Sequence, residues 1–155
     1  MKTHHPVNDA ELVIVESPYA PAMPKPILRC EFTQLQLLTA ADLCIPRLRN
    51  CPECDSWKSW FTQLDNNVAY ARAAIKDCLM RGEAPYASHL LYTQPGVLDD
   101  TIQEDRDRGM FAGFAWRQAA SKTVVYTDLG VSRGMRAGIE DAKKRFAVVE
   151  YRTLK

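Results

Sequence analysis

The sequence predicts an α/β fold, a parallel sheet covered by helices on both faces, and three observations predict it. Short apolar runs recur along the chain, at Leu12–Glu16 (LVIVE), 84–87 (APYA), 123–127 (TVVYT) and 148–152 (VVEYR). The stretches between them carry apolar residues at helical spacing. The third run also passes through a glycine-rich turn, GVSRG, into an amphipathic segment, which is the join expected between a strand and its crossover helix. The resulting order, β-α-β-α-β-α-β, calls for right-handed crossovers.

Each element has its own justification. Residues 1–11 read as a leader. LVIVE is uninterrupted and apolar, as a strand buried on both faces must be. It ends in Ser17-Pro18-Tyr19, where a loop begins. Residues 21–66 change character: Pro21, Pro24, Pro26 and Pro46 interrupt regular structure, and four of the five cysteines lie there. They read as an insertion into a single domain, with short helices near 33–43 and 56–64. Asn66 or Asn67 then caps a helix to about Arg81, stopped by Gly82. APYA forms a short strand that Pro85 confines to an edge. SHLLYTQ follows as a loop, then a helix over 102–119 that buries Met110, Phe111, Phe114 and Ala115. After the third strand, Gly130 and Gly134 serve the turn and Ser132 caps the last helix. Met135, Gly138, Ile139, Ala142 and Phe146 give that helix its packing face.

Composition narrows the function classes. The chain has 155 residues, 46% hydrophobic and 25% charged, with 20 basic against 19 acidic side chains and a net charge of +1. That balance leaves no electrostatic footprint for nucleic acid or acidic membranes. No apolar run approaches a membrane span, and the first residues lack a signal-peptide core. A cytoplasmic protein is expected, with its cysteines as thiols or metal ligands rather than disulfides. No cofactor is expected.

Several constellations invite a chemical reading. In open α/β sheets ligands sit beyond the carboxyl ends of the strands, and a helix N-terminus there favours anions. Gly130-Val131-Ser132-Arg133-Gly134 matches G-x-S-x-G, but His4, His5 and His89 all precede the serine, against the hydrolase order. A helix cap, or a phosphate held by Ser132 and nearby N–H groups, fits better. Cys51-Pro52-Glu53-Cys54 has ligand-like spacing, and with Cys30 and Cys44 it makes a candidate zinc set, without a second close pair. His89, beside Ser88, Tyr92 and Gln94, falls near the predicted ligand edge and is a candidate acid or base. Glu104, Asp105 and Asp107 open the second helix, where acidic residues either offset the helix dipole or hold sugar hydroxyls. Glu16 and Asp128 end strands at the same edge.

The segments VIVESPYA, NVAYARAAIKDCLMRGEAPYASHLLYTQPGVLDD and TVVYTDLGVSRGMRAGIEDA resemble a family of small phage and bacterial proteins. That family looks like a branch of the nucleoside 2-deoxyribosyltransferase-like superfamily. The resemblance covers residues 12–20 and 67–154. It implies a flavodoxin-like, Rossmann-like three-layer sandwich around a parallel sheet of four to five strands, binding a nucleoside or nucleotide. It also implies a glutamate nucleophile on the helix after the third strand, a sugar-binding aspartate near the start of the preceding helix, and a tyrosine after the first strand that contacts the base. Tyr19 and Asp105 match the last two. At the nucleophile's spacing from Gly134 stands Arg136, with Glu140 one turn further along the same face.

The expected activity is therefore processing of an N-glycosidic bond by a transferase or hydrolase. Glu140, Asp105, Asp128 and His89 are its catalytic candidates, and Ser17, Tyr19, Tyr92, Gly130, Ser132, Gly134, Met135 and Arg136 its ligand contacts. The alternative is a non-catalytic nucleotide-binding module, because an arginine at position 136 suits a phosphate. A third reading is an interaction protein whose insertion presents Trp57, Trp60 and Phe61. The deoxyribosyltransferase likeness further implies a homo-oligomer, since such relatives complete their sites across subunits.

Overall fold

The computed structural model describes residues 10–19, 21, 52–100 and 102–155. The elements are β1 (Leu12–Glu16), α1 (Pro52–Met80), β2 (Ala84–Tyr86), α2 (Ser88–Tyr92), α3 (Gln103–Trp116), β3 (Lys122–Tyr126), α4 (Arg133–Lys144) and β4 (Val148–Arg152). All four strands are parallel, in the order β2-β1-β3-β4. This is the flavodoxin-like strand order, and the fold is a flavodoxin-like three-layer α/β sandwich.

β1 sits inside the sheet, so both its faces are covered. Val13 and Val15 pack with Val124 and Tyr126 of β3 against Ala74 and Cys78 of α1. On the other face Val125 meets Met135 and Ile139 of α4. Small residues on α1 (Ala71, Ala74 and Cys78, all fully buried) let that helix lie close to the strands. β2 is the outer strand that Pro85 predicts.

Several boundaries differ from the sequence reading. The helix expected to start at Asn66 or Asn67 begins at Pro52, and the separate helix expected near 56–64 is part of it. Pro52 suits a first helical position, and nothing between it and Met80 breaks a helix. The short helix expected at 33–43 lies outside the described residues. The chain divides into two units, residues 1–19 with 67–155 and residues 20–66. In the second, Trp60 is buried, donates to the carbonyl of Pro21 at 3.1 Å and packs edge-on to Phe61. Trp60 is thus not the exposed anchor of the interaction reading, and the Trp57 side chain lies outside the described residues.

Ser88–Tyr92, expected as loop, forms a helical turn. It lies close under α3: a Cβ on Gly113 would come within 2.9 Å of Ser88 Oγ. Gly113 is the buried residue of α3; of the four residues expected on its buried face, Met110 and Phe114 are half-buried, whereas Phe111 is 80% exposed and Ala115 is also exposed. The close approach of two backbones needs the small residue, which carries no hydropathy signal.

Helices α1 and α4 end in the same motif. At α1, Glu83 N bonds Cys78 O and Gly82 N bonds Leu79 O, with Gly82 at φ +78°. At α4, Ala147 N bonds Ala142 O and Phe146 N bonds Lys143 O, with Phe146 at φ +57°. Glycine is the residue suited to this left-handed position, and a side chain there costs roughly 1 kcal/mol. Phe146, expected on the packing face, is instead 96% exposed, because the left-handed turn carries it off the helical stripe. Phe146→Gly should therefore raise unfolding stability by about 1 kcal/mol, a few degrees in Tm, with little packing lost. Urea denaturation checks this, and a lower stability would contradict it.

Candidate functional site

The loops after β1, β2 and β3 leave one edge of the sheet. Strand order reverses beside β1, so the chain departs on opposite sides from β1 and β3, and it is at such a reversal that open α/β sheets place a ligand crevice. Segments SPY, SHLLYTQ and DLGVSRG all begin at this edge.

Ser17 and His89 meet there. Ser17 Oγ lies 3.0 Å from His89 Nε2, and Ser17 is buried. The Tyr19 ring tilts against His89 at 5.7 Å between centroids. Burial pushes the His89 imidazole down from 6.5 to about 4, so it is neutral at pH 7. A neutral imidazole can either donate to Ser17 or accept from it.

Two residues of α1, one helical turn apart, brace the loops on either side of the crevice. Asn67 Nδ2 donates to Tyr19 O at 2.6 Å. Tyr70 OH donates to Asp128 Oδ2 at 2.7 Å and accepts from Asp128 N at 3.1 Å. Leu154 N also donates to Asp128 Oδ2, at 2.9 Å. The Tyr70 hydrogen bond and that backbone donor hold the Asp128 carboxyl below its usual range, while burial and the adjacent carboxylate raise the Tyr70 phenol. The sequence offers Asn67 only as a helix cap and does not mark Tyr70. Their signal is a polar pair at i, i+3 beside the small buried stripe Ala71, Ala74 and Cys78.

The turn after β3 closes as the glycines suggest. Gly130 takes φ +81° and its N–H bonds Thr127 O at 2.9 Å. Ser132 Oγ accepts from Met135 N, and Met135 Sδ accepts from Ser132 N, both at 3.3 Å. Ser132 is thus the α4 cap, and Gly134 follows it in the first turn. Arg136 is exposed and folds back to donate to Val131 O at 2.8 Å. Met135 is taken up by the core, 1% exposed.

The remaining sequence candidates are drawn elsewhere. Glu140 is exposed on α4. Asp105 accepts from Asp99 N at 3.1 Å and pairs with Arg108 at 3.0 Å, closing its own loop. Tyr92 OH accepts from Trp116 Nε1 at 3.0 Å, in an aromatic cluster with Tyr86. Glu16 turns to the α4 side and pairs with Arg117, which also donates to Thr123 Oγ1 at 3.1 Å. Burial raises the Glu16 carboxyl, and Arg117 opposes that rise. Cys30, Cys44, Cys51 and the Cys54 side chain lie outside the described residues. Among the described residues no group of three histidines, cysteines or carboxylates could hold a metal ion, and no helix is long and apolar enough to cross a membrane.

A family model described as a domain of unknown function, DUF7768, matches residues 58–152. The chain belongs to the DUF7768 family. No curated protein and no solved structure matched it. The DUF7768 match takes in β2, β3, β4 and most of α1, so His89, Asn67, Tyr70 and Asp128 fall within it, while Ser17 and Tyr19 of the β1 loop lie outside.

The depressed His89 gives this DUF7768 domain a testable pH dependence. The folded state binds the ring proton at about pH 4 and the unfolded chain near 6.5. This contribution to stability is therefore complete above pH 6.5 and declines as pH falls towards 4, by up to about 1.4 kcal/mol per pH unit. His89→Gln keeps a polar group near Ser17 but cannot titrate. Urea unfolding across that window should give a shallower pH slope for the variant than for wild type; equal slopes would contradict the depressed imidazole.

Proposed function

We propose that the crevice beyond β1 and β3 binds a nucleotide, with the base beside Tyr19 and His89 and the phosphate near the N-terminus of α4. The carrying observation is the convergence of three strand-end loops on the edge where strand order reverses. There the Tyr19–His89 pair follows β1 and β2, and a Ser132-capped helix follows β3. Arg133 and Arg136 in the first turns of α4 suit an anion rather than a neutral sugar.

A binding module accounts for the charge arrangement better than a glycosyl-transfer enzyme does. Covalent attack on a sugar carbon needs an ionised carboxylate directed into the crevice. Arg136 occupies the α4 position where the deoxyribosyltransferase-like pattern has its glutamate, Glu140 is exposed further along the helix, and Asp105 is engaged with Asp99 and Arg108. One observation favours N-glycosidic bond processing as the second reading. Asp128 ends β3 at this edge, held ionised by Tyr70 and Leu154 N, and could serve as base or electrostatic stabiliser.

Incubation with deoxynucleosides and their monophosphates separates the two. The binding reading predicts a thermal shift with a monophosphate that exceeds the shift with its nucleoside, reaching about 2.7 kcal/mol at a hundredfold excess over Kd. It also predicts no free base by chromatography, and Arg136→Ala should weaken monophosphate binding about tenfold. Base release that is lost in Asp128→Asn would favour the enzyme instead. Absence of any shift or release across the four common bases would remove both.

A further inference from the structure

The two outer strands of the sheet are treated differently. β2 is three residues long with a proline at its centre, both standard protections of an exposed edge. β4 is five residues long, lacks proline, and pairs with no described strand on its far side. Apolar side chains on and just after it are exposed: Val148 by 62%, Tyr151 by 55% and Leu154 by 36%. A strand of this composition is a template for another strand.

Two bonds give the direction of its backbone groups. Arg152 O accepts from Thr127 N at 3.0 Å, and Leu154 N donates to Asp128 Oδ2 at 2.9 Å. Residues 152 and 154 therefore face β3 and its loop. By the alternation of a strand, Val149, Tyr151 and Thr153 turn their N–H and C=O groups to the open side.

We propose that β4 pairs antiparallel with β4 of a second copy, about a two-fold axis through Tyr151, so that one sheet runs through both subunits. The partner is argued from register and charge. A pairing centred on Glu150 would set two carboxylates directly opposite one another, which is destabilising. The neighbouring register, centred on Tyr151, places Tyr151 against Tyr151, Val149 against Thr153 and Glu150 against Arg152. Its hydrogen-bonded positions are the outward-facing residues, it sets the half-exposed Glu150 opposite a cation, Arg152, that its own chain already holds through Glu83, rather than opposite a second carboxylate, and exposed Val148 meets exposed Leu154. Phe146, exposed in its left-handed turn, lies two residues before Val148, at the end where the second copy's Leu154 arrives.

Sedimentation of the full chain over a concentration series tests the pairing, with circular dichroism as the check on folding. Wild type should be a reversible dimer. Tyr151→Lys puts like charges across the axis, and Val149→Pro removes an N–H that β3 does not use. Each should weaken dimerisation at least about tenfold with an unchanged spectrum. If one variant fails to fold, the other decides. Phe111→Lys, on the exposed face of α3, should leave the dimer intact. A monomeric wild type, an assembly that survives both β4 substitutions, or a dimer dissolved by Phe111→Lys as readily as by Tyr151→Lys would each overturn the proposal.

Discussion

A buried ion pair, Glu16 with Arg117, organises one whole side of this molecule. Glu16 closes β1, Arg117 follows α3, and the pair sits directly beneath Gly138 of α4. Arg117 reaches further: to Thr123 on β3, towards Asp141 on α4 with Nε 3.6 Å from Oδ2, and across the Phe114 ring at 5.3 Å. Removing one member would leave the other charge buried and unpaired, which is strongly destabilising; Arg117 Nε itself makes no hydrogen bond among the described residues. Gly138 is the concession that makes room. A Cβ there would come within 2.6 Å of Arg117 Nη2.

The opposite face depends on a different solution. There the helix α1 packs through alanines and a cysteine, and polar groups take over towards its C-terminal end. Arg152 grips Glu83 with both terminal nitrogens, at 2.6 and 2.7 Å, and Lys122 bridges Glu83, Glu11 and Glu150. These cations draw the Glu83 carboxyl down to about 2. Tyr126 OH reaches Asp77 at 2.6 Å and Cys78 Sγ at 3.3 Å, tying β3 to the same helix. Charge is thus gathered towards one end of the sheet, while Asn67 and Tyr70, nearer the other end, serve the loops of the candidate site.

Strands were legible in the sequence because burial on both faces demands uninterrupted apolar residues, as in LVIVE and TVVYT. The edge position of β2 followed from a missing N–H at Pro85. The α4 cap was legible from the serine in its glycine-rich turn, and the α4 face, Met135, Gly138, Ile139 and Ala142, from periodicity. The start of α1 was not, because Asn66 and Asn67 carry a cap signal that a continuous run of helix formers overrides. The face of α3 was legible only at Met110 and Phe114, because its contact with α2 selects Gly113, whose lack of a side chain is invisible to a hydrophobic pattern.

The site was legible as a place and only partly as a set of residues. Sequence order brings strand-end loops to one edge, so Ser17, Tyr19, His89 and Asp128 could be nominated there. The partners of Tyr92 and Glu16 are tertiary contacts with Trp116 and Arg117, which no local spacing encodes, whereas Asp105 is taken up locally by Asp99 N and Arg108. The Glu16–Arg117 pair needs an empty Cβ position in α4, and unfolding of Gly138→Ala measures this with a decisive sign. Helix propensity alone makes alanine more stable by about 1 kcal/mol. Intrusion on the buried pair makes it less stable by about 2 kcal/mol or more, and that loss is the predicted result. An unchanged or raised stability would contradict it.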